Sequence, residues 1–178
     1  MNGIEIRIDS KTYPGRGRAQ AHTAIANLRL QLAQNEFVCL VGPSGSGKTT
    51  LLNLIAGLDR DFQGRITFPH PQPPVVGYVF QEPRLLPWRT VRENLELALP
   101  PGRDTGVIDE LLEITQLTAF QHTHPQRLSL GMCRRVALAR AFATDPDLLL
   151  MDEPFVSLDA PTAEKMRQLV TDLWLRRP

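Results

Sequence analysis

The stretch Phe37-Val38-Cys39-Leu40-Val41-Gly42-Pro43-Ser44-Gly45-Ser46-Gly47-Lys48-Thr49 decides the fold: five apolar residues run without a break into a glycine-rich loop that ends in Lys-Thr. An uninterrupted apolar run reads as a strand buried on both faces, the kind a parallel sheet contains. Gly42 to Thr49 fits the pattern Gly-x-x-x-x-Gly-Lys-Ser/Thr, and the helix formers Thr50 to Ala56 follow it, with Gly57 as a stop. Such a loop suits a polyphosphate, because backbone N–H groups converge on anionic oxygens only where glycine lets the chain come close. The start of the helix adds unpaired donors and the positive end of its dipole. Lys48 then reaches the terminal phosphates as a mobile charge and the Thr49 hydroxyl ligates Mg2+, while Gly42, Pro43, Ser44, Gly45, Ser46, Gly47 and Thr50 complete the envelope. The plain alternative is a glycine-rich turn that happens to contain a lysine.

Downstream, Leu148-Leu149-Leu150-Met151 reads as a second buried strand, and Asp152 and Glu153 follow at its C-terminal end, the edge of a parallel sheet where ligands bind. Asp152 suits Mg2+ held through its water shell, and Glu153 suits a base that orients and deprotonates an attacking water. Alternatively, the strand simply leaves the sheet through acids. Val75 to Phe80 predicts another short strand, and the four prolines between Pro69 and Pro74 make the segment before it a surface connection. From about Thr90 to Thr144 strand alternation disappears, and Ile108, Leu111, Leu112 and Thr115 take helical spacing, which predicts an inserted helical subdomain. Met166, Leu169, Val170 and Leu173 predict a last amphipathic helix that begins near Pro161. Upstream, Ile4, Ile6 and Ile8 alternate with Glu5, Arg7 and Asp9, and Leu28, Leu30 and Leu32 alternate with Arg29 and Gln31. With the turn residues Tyr13 to Gly17 between them, these predict a small antiparallel layer at the start of the chain.

The balance of 20 Lys and Arg against 19 Asp and Glu lacks the basic excess of a nucleic-acid binder, so no nucleic-acid partner is expected. At 42% hydrophobic residues a disordered chain is excluded as well. No apolar run approaches the roughly 18 residues of a membrane span, and the N-terminus lacks the pattern of a secretory signal. A cytosolic protein is expected. Cys39 and Cys133 have no pairing pattern and read as reduced thiols. His122 and His124, two apart with no other ligand type at suitable spacing, read as solvated loop residues rather than a metal pair.

Between the glycine loop and the acid pair stands Leu128-Ser129-Leu130-Gly131-Met132, followed by Arg134-Arg135-Val136-Ala137-Leu138-Ala139-Arg140-Ala141. This resembles the signature segment of the ATP-binding-cassette (ABC) ATPases, and the order of motifs is theirs along essentially the whole chain. The resemblance implies an α/β P-loop NTPase fold, RecA-like, with a parallel-sheet core, an N-terminal antiparallel β layer and an inserted helical subdomain. It implies one nucleotide-binding domain, with residues 1–89 and 145–178 as the ATP-binding core and 90–144 as the helical part, whose usual C-terminal end is missing. It also implies roles: Gln81 as the Q-loop glutamine contacting Mg2+ or water, Ser157-Leu158-Asp159 as the D-loop, and Tyr13 as the aromatic stacked on adenine. A head-to-tail homodimer would sandwich ATP between one subunit's glycine loop and the other's Ser129 and Gly131. Other readings stay open: Ser129 and Asp159 as ordinary helix N-caps, Tyr13 as a turn aromatic, Gln81 as a loop residue.

Phe80 to Leu95 is similar to the corresponding region of bacterial importer ATPases of the nitrate/sulfonate/taurine type. That implies ATP hydrolysis driving a permease, with a solute-binding protein as an indirect partner and the chain peripheral on the inner face of the membrane. Leu85, Leu86, Pro87 and Trp88 are the candidate permease-docking surface, or else they pack internally. Three departures from the family pattern matter. Leu130 replaces a glycine and Met132 a glutamine, and all four histidines precede Asp152, so the switch histidine has no counterpart. A shortened chain or an incomplete family member is expected, with weakened hydrolysis and retained ATP binding. The rival classes are an ABC ATPase without a membrane partner and a P-loop kinase.

Overall fold

Ile6 and Ile8 are fully buried along the first strand while Arg7 between them is exposed, so the alternation does mark a half-buried sheet. The computed structural model describes residues 3–15, 17, 20–156 and 160–176 and, for Thr162 and Arg176, the backbone alone. The chain divides into two units, residues 1–74 and 75–178.

In the first unit, β1 (Gly3–Tyr13) pairs antiparallel with β2 (His22–Ala33), as the alternation predicts. A helix, α1 (Lys48–Ile55), comes next, then a third strand, β3 (Gln63–Thr67), which pairs with the other side of β1. That strand is short and largely polar, and periodicity gives no sign of it. Arg29, Arg7 and Arg65 lie directly opposite one another across the three strands. Like charges in that register repel, and the acids beside them offset this: Glu5 pairs with Arg7 and Asp9 with Arg29.

Two irregularities shape the sheet. The β1–β2 pairing jumps from Lys11↔Ile25 to Thr12↔Thr23, leaving Ala24 as an extra residue of β2. On the other side, pairing jumps from Ile8↔Gly64 to Ser10↔Gln63, leaving Asp9 extra in β1. Each bulge sharpens the local twist and re-aims the side chains beyond it.

Helix α1 begins two residues before Thr50 and buries Leu51, Leu52, Leu54 and Ile55. It ends as expected at Gly57, whose φ of 69° sets up a Schellman closure. The Gly57 N–H donates to Leu54 O at 3.1 Å and the Leu58 N–H to Asn53 O at 3.0 Å.

One expectation is overturned here. Phe37 to Val41 is not a buried strand: it has no strand assignment, and Phe37 and Val41 are 67% and 92% exposed. A run of apolar residues becomes a sheet strand only where neighbours complete its hydrogen-bond ladder. Among the described residues, no ladder partner is recorded for this segment.

In the second unit, β4 (Val76–Val79) and β5 (Leu148–Met151) pair in parallel, with Val76 opposite Leu148 and Val79 opposite Met151. Between them come α2 (Val91–Glu96), α3 (Gly106–Ile114) and α4 (Leu130–Ala143), and α5 (Ala160–Arg176) follows β5. The predicted stripes are the ones buried: Ile108, Leu111, Leu112 and Thr115 on one side, Met166, Leu169, Val170 and Leu173 on the other. The apolar members of both stripes share one core with Val136, Leu138, Ala139, Ala141 and Phe142 of α4. Each fully buried Leu or Ile contributes about 1.5–3 kcal/mol of transfer free energy, so this cluster is the unit's main source of stability. Residues 69–74 carry neither helix nor strand, as four prolines require.

Candidate active site

Gly47 is the pivot of the phosphate loop. Its φ is 88°, and a Cβ placed there would lie 2.6 Å from the carbonyl oxygen of Ala24, the extra residue of the β2 bulge. Only glycine meets both demands. A turn closed by the Ser46 N–H on Pro43 O at 3.2 Å leads into it, and the Leu51 N–H donates to Gly47 O at 2.8 Å as the helix begins. The start of α1 has no side-chain cap and no acid in its first turn, the condition under which a helix end takes up an anion. Lys48 Nζ folds back onto the carbonyls of Gly42 and Pro43, at 3.0 Å each, and so spans the loop. Thr49 is exposed and Thr50 half-buried.

Tyr13 stands at the end of β1, 40% exposed, with its hydroxyl 3.3 Å from Thr50 Oγ1 in the first turn of α1. The tyrosine ring and the phosphate-loop helix thus share a side-chain contact. Beneath it lies Lys11, which the sequence reading did not single out. Its ammonium is buried against Asp59 and Asp61 and sits 4.7 Å from the Tyr13 ring centroid.

In the second unit, β4 and β5 deliver their ends side by side. The Asp152 N–H donates to Val79 O at 2.9 Å, and Asp152 is buried at the strand edge as predicted. Gln81 donates from Nε2 to Glu153 Oε2 at 3.2 Å, which brings together two of the residues predicted to be catalytic. Glu153 has a φ of 48°, in the left-handed region a non-glycine residue seldom occupies, and its carbonyl accepts from the Val156 N–H at 3.2 Å. Burial and the negative charge of Asp152 push the Tyr78 phenol up to about 12, against a smaller opposing effect of Arg84.

Helix α4 braces both strand ends with arginines whose role the sequence reading missed. Arg140 donates to Pro83 O and Arg84 O, at 2.9 Å each, holding the segment after Gln81. Arg134 donates to Val156 O, holding the turn after Glu153. Arg135 donates to Thr115 O at 2.9 Å. The available signal is three arginines on a helix whose other residues are all apolar side chains or glycine, where a charge is tolerated only with partners.

Ser129 caps α4, its hydroxyl accepting from the Met132 N–H at 3.2 Å. Leu130 is 52% exposed, whereas Met132 packs partly against the core, which accounts for an apolar residue there. Gly131 is half-buried in the first turn of the same helix. Asp159, with Ser157 and Leu158, lies outside the described residues. The docking surface needs a correction: Trp88 is 69% exposed and Pro87 is exposed, but Leu85 packs against the core and Leu86 is half-buried. Asn94 explains the difference. Fully buried, it accepts from the Leu86 N–H at 2.8 Å and donates to the carbonyls of Leu86, Arg89 and Thr90, folding the loop inward. His122 and His124 are exposed, and both cysteines are free.

A glycine loop closing on an uncapped helix, and an Asp-Glu pair ending a parallel strand, define a nucleoside-triphosphate-handling protein of the α/β class. The comparisons with known proteins narrow this. A family profile described as ABC transporter matches residues 25–156. The aliphatic sulfonates import ATP-binding protein SsuB of Bacillus subtilis is 40% identical over 183 residues, covering 98% of this chain and 70% of that protein. The corresponding SsuB of Streptomyces avermitilis is 44% identical over 172 residues, covering 97% of this chain and 63% of its relative. A solved dimeric ATP-binding cassette, in a post-hydrolysis state bound to ADP and Pi, superposes with a TM-score of 0.85 at 33% identity, covering 96% of this chain and 82% of that one. The chain belongs to the ABC transporter family and is one of its ATP-binding, ATP-hydrolysing cassettes. No helix among the described residues is long and apolar enough to cross a membrane.

Proposed function

We propose that this cassette powers the import of an aliphatic sulfonate, binding and hydrolysing ATP as a head-to-tail homodimer attached to a membrane permease. The observation that carries the reading is the phosphate loop, with Gly47 walled by Ala24 O and Lys48 spanning the carbonyls ahead of an uncapped α1. Similarity to sulfonate-import ATP-binding proteins supports the solute class, and the dimeric solved cassette supports the assembly. The permease places the chain on the cytoplasmic face of the membrane, and a solute-binding protein delivers the cargo.

Mechanistically, loop N–H groups and Lys48 bind the triphosphate, and Tyr13 offers a stacking surface to the base. Glu153, held by Gln81 and by its own turn, takes a proton from the attacking water. Thr49 carries a hydroxyl, Gln81 an amide oxygen and Asp152 a carboxylate, each the oxygen type of donor that Mg2+ takes. Bound there, Mg2+ would neutralise charge developing on the phosphates. Ser129 and Gly131, at the start of α4, would meet the partner's nucleotide, and the family role of Asp159 is the same contact. Closure with ATP and reopening after hydrolysis then work the permease, because nucleotide favours one of the two states.

The test is isothermal calorimetry with MgATP on the wild type and on Lys48→Ala. Binding in the first and at least tenfold weaker binding in the second are expected. Equal heats from both would end the reading. Reconstitution with a sulfonate permease tests the cargo: ATP-dependent uptake of an alkanesulfonate is expected, and uptake that ignores ATP would overturn that part.

A further inference from the structure

We infer that Lys11 is a positioning residue for the nucleotide base: it sets the Tyr13 ring against the phosphate-loop helix, and so contributes to ATP affinity through the base rather than through the phosphates. The inference rests on the proposed role of Tyr13 as the base platform.

Lysine seldom ends buried on a sheet, because its ammonium must leave water and find replacement partners. Lys11 is 2% exposed. It reaches that position through the extra residue Asp9 of β1, which moves the buried side from the parity of Ile6 and Ile8 to that of Lys11. There Nζ lies 3.0 Å from Asp59 Oδ1, 2.9 Å from Asp59 Oδ2 and 2.6 Å from Asp61 O, with Asp61 Oδ2 at 3.6 Å. Burial alone would pull its pKa down, yet the hydrogen bond and charge of Asp59, helped by the charge of Asp61, hold it above the usual lysine value. The charge therefore stays in place at neutral pH.

That fixed charge lies 4.7 Å from the centroid of the Tyr13 ring. A cation held over an aromatic face is attracted to it, so the ammonium restrains the tilt of the ring. The Tyr13 hydroxyl is tied to Thr50. Asp59 and Asp61 belong to the segment that leaves α1, and the Asp61 N–H donates to Asp59 Oδ1 at 3.0 Å, which stiffens the acceptor. Two residues of β1 thus grip the phosphate-loop helix at two places, Tyr13 at its first turn and Lys11 beyond its last. The distance from base platform to phosphate loop is set by this double grip. Lys11 touches no nucleotide atom and acts through the ring.

The test compares two probes by calorimetry on the whole chain: MgATP, and magnesium tripolyphosphate, which has no base. In Lys11→Met, ATP affinity should fall five- to tenfold while tripolyphosphate affinity stays within twofold. Lys11→Arg should restore most of the loss. In Tyr13→Ala the Lys11→Met change should add nothing, because the ring through which it acts is gone. If Lys11→Met melts before it can be titrated, Asp59→Asn carries the same expectation. Equal losses for both probes, unchanged ATP affinity, or full additivity with Tyr13→Ala would each overturn the inference. If instead Tyr13→Ala binds ATP as the wild type does, the platform itself is refuted and the inference falls with it, an outcome distinct from failure of Lys11 alone.

Discussion

Gln81 and Glu153 are joined side chain to side chain, Nε2 to Oε2 at 3.2 Å, across the ends of the parallel strands β4 and β5. The amide thereby orients the carboxylate while its own oxygen remains an acceptor. Replacing Glu153 with Gln removes the base and keeps the shape. Turnover should fall by about 10²–10⁴-fold, the range general-base catalysis contributes, with ATP affinity nearly unchanged. Size-exclusion chromatography with light scattering should then show an ATP-bound dimer accumulating. Gln81→Ala should be milder, lowering kcat about tenfold through loss of orientation, and steady-state kinetics would show KM moving less.

Asn94 and Trp88 should behave as opposites. Asn94 is buried with four hydrogen bonds to the loop at residues 86–90. Asn94→Leu keeps the volume but strands those loop groups, and should cost about 2–4 kcal/mol in urea unfolding.

Trp88→Ala, at a side chain 69% exposed, should change stability by less than about 0.5 kcal/mol. Its effect should appear in co-purification with the permease, which should drop while ATP binding in isolation holds.

The Lys11–Asp59 pair gives stability two pH limits. Asp59 is held below its ordinary 3.8, since the Lys11 hydrogen bond and the Asp61 N–H outweigh burial. A depressed folded pKa stabilises above the unfolded value and loses that contribution as pH falls through the folded one. Lys11 is raised above 10.5, so its contribution is complete below 10.5 and lost as pH rises beyond it. Melting temperature should therefore be level with respect to this pair between about pH 4 and pH 10.5 and fall at both ends. Asp59→Asn should lower the plateau and flatten the acid limb.

Leu130 is 52% exposed in the first turn of α4, and in the proposed head-to-tail dimer it would narrow the approach of the partner's phosphate. Leu130→Gly should raise the ATP turnover of the dimer several-fold, at a cost to helix stability of up to about 1 kcal/mol. Kinetics at saturating ATP and a thermal melt would measure the two together.

The chemistry-bearing stretches were legible because their residue types are forced: glycine beside a carbonyl at Gly47, acids at the end of β5, a serine before α4. Ladder partners were not. Phe37 to Val41 and Leu148 to Met151 look alike as letters, yet only the second has a neighbour, β4, and pairing depends on residues far away in sequence. Lys11 was invisible for a related reason. Strict alternation turns it outward, and the one-residue slip at Asp9 that turns it inward leaves no trace in composition. The arginines of α4 sit between, conspicuous as charges on an apolar helix but with carbonyl partners, Pro83 O and Val156 O, that only the fold reveals.

The unpaired residue Ala24 behaves as a shim. Its carbonyl is the surface against which Gly47 rests, so deleting that one residue would let the hairpin run straight and withdraw the support while every motif letter stayed intact. Protein engineers who swap hairpins between transport cassettes should therefore match that one-residue offset before they match sequence. A graft in perfect register would look complete on paper and grip its fuel poorly.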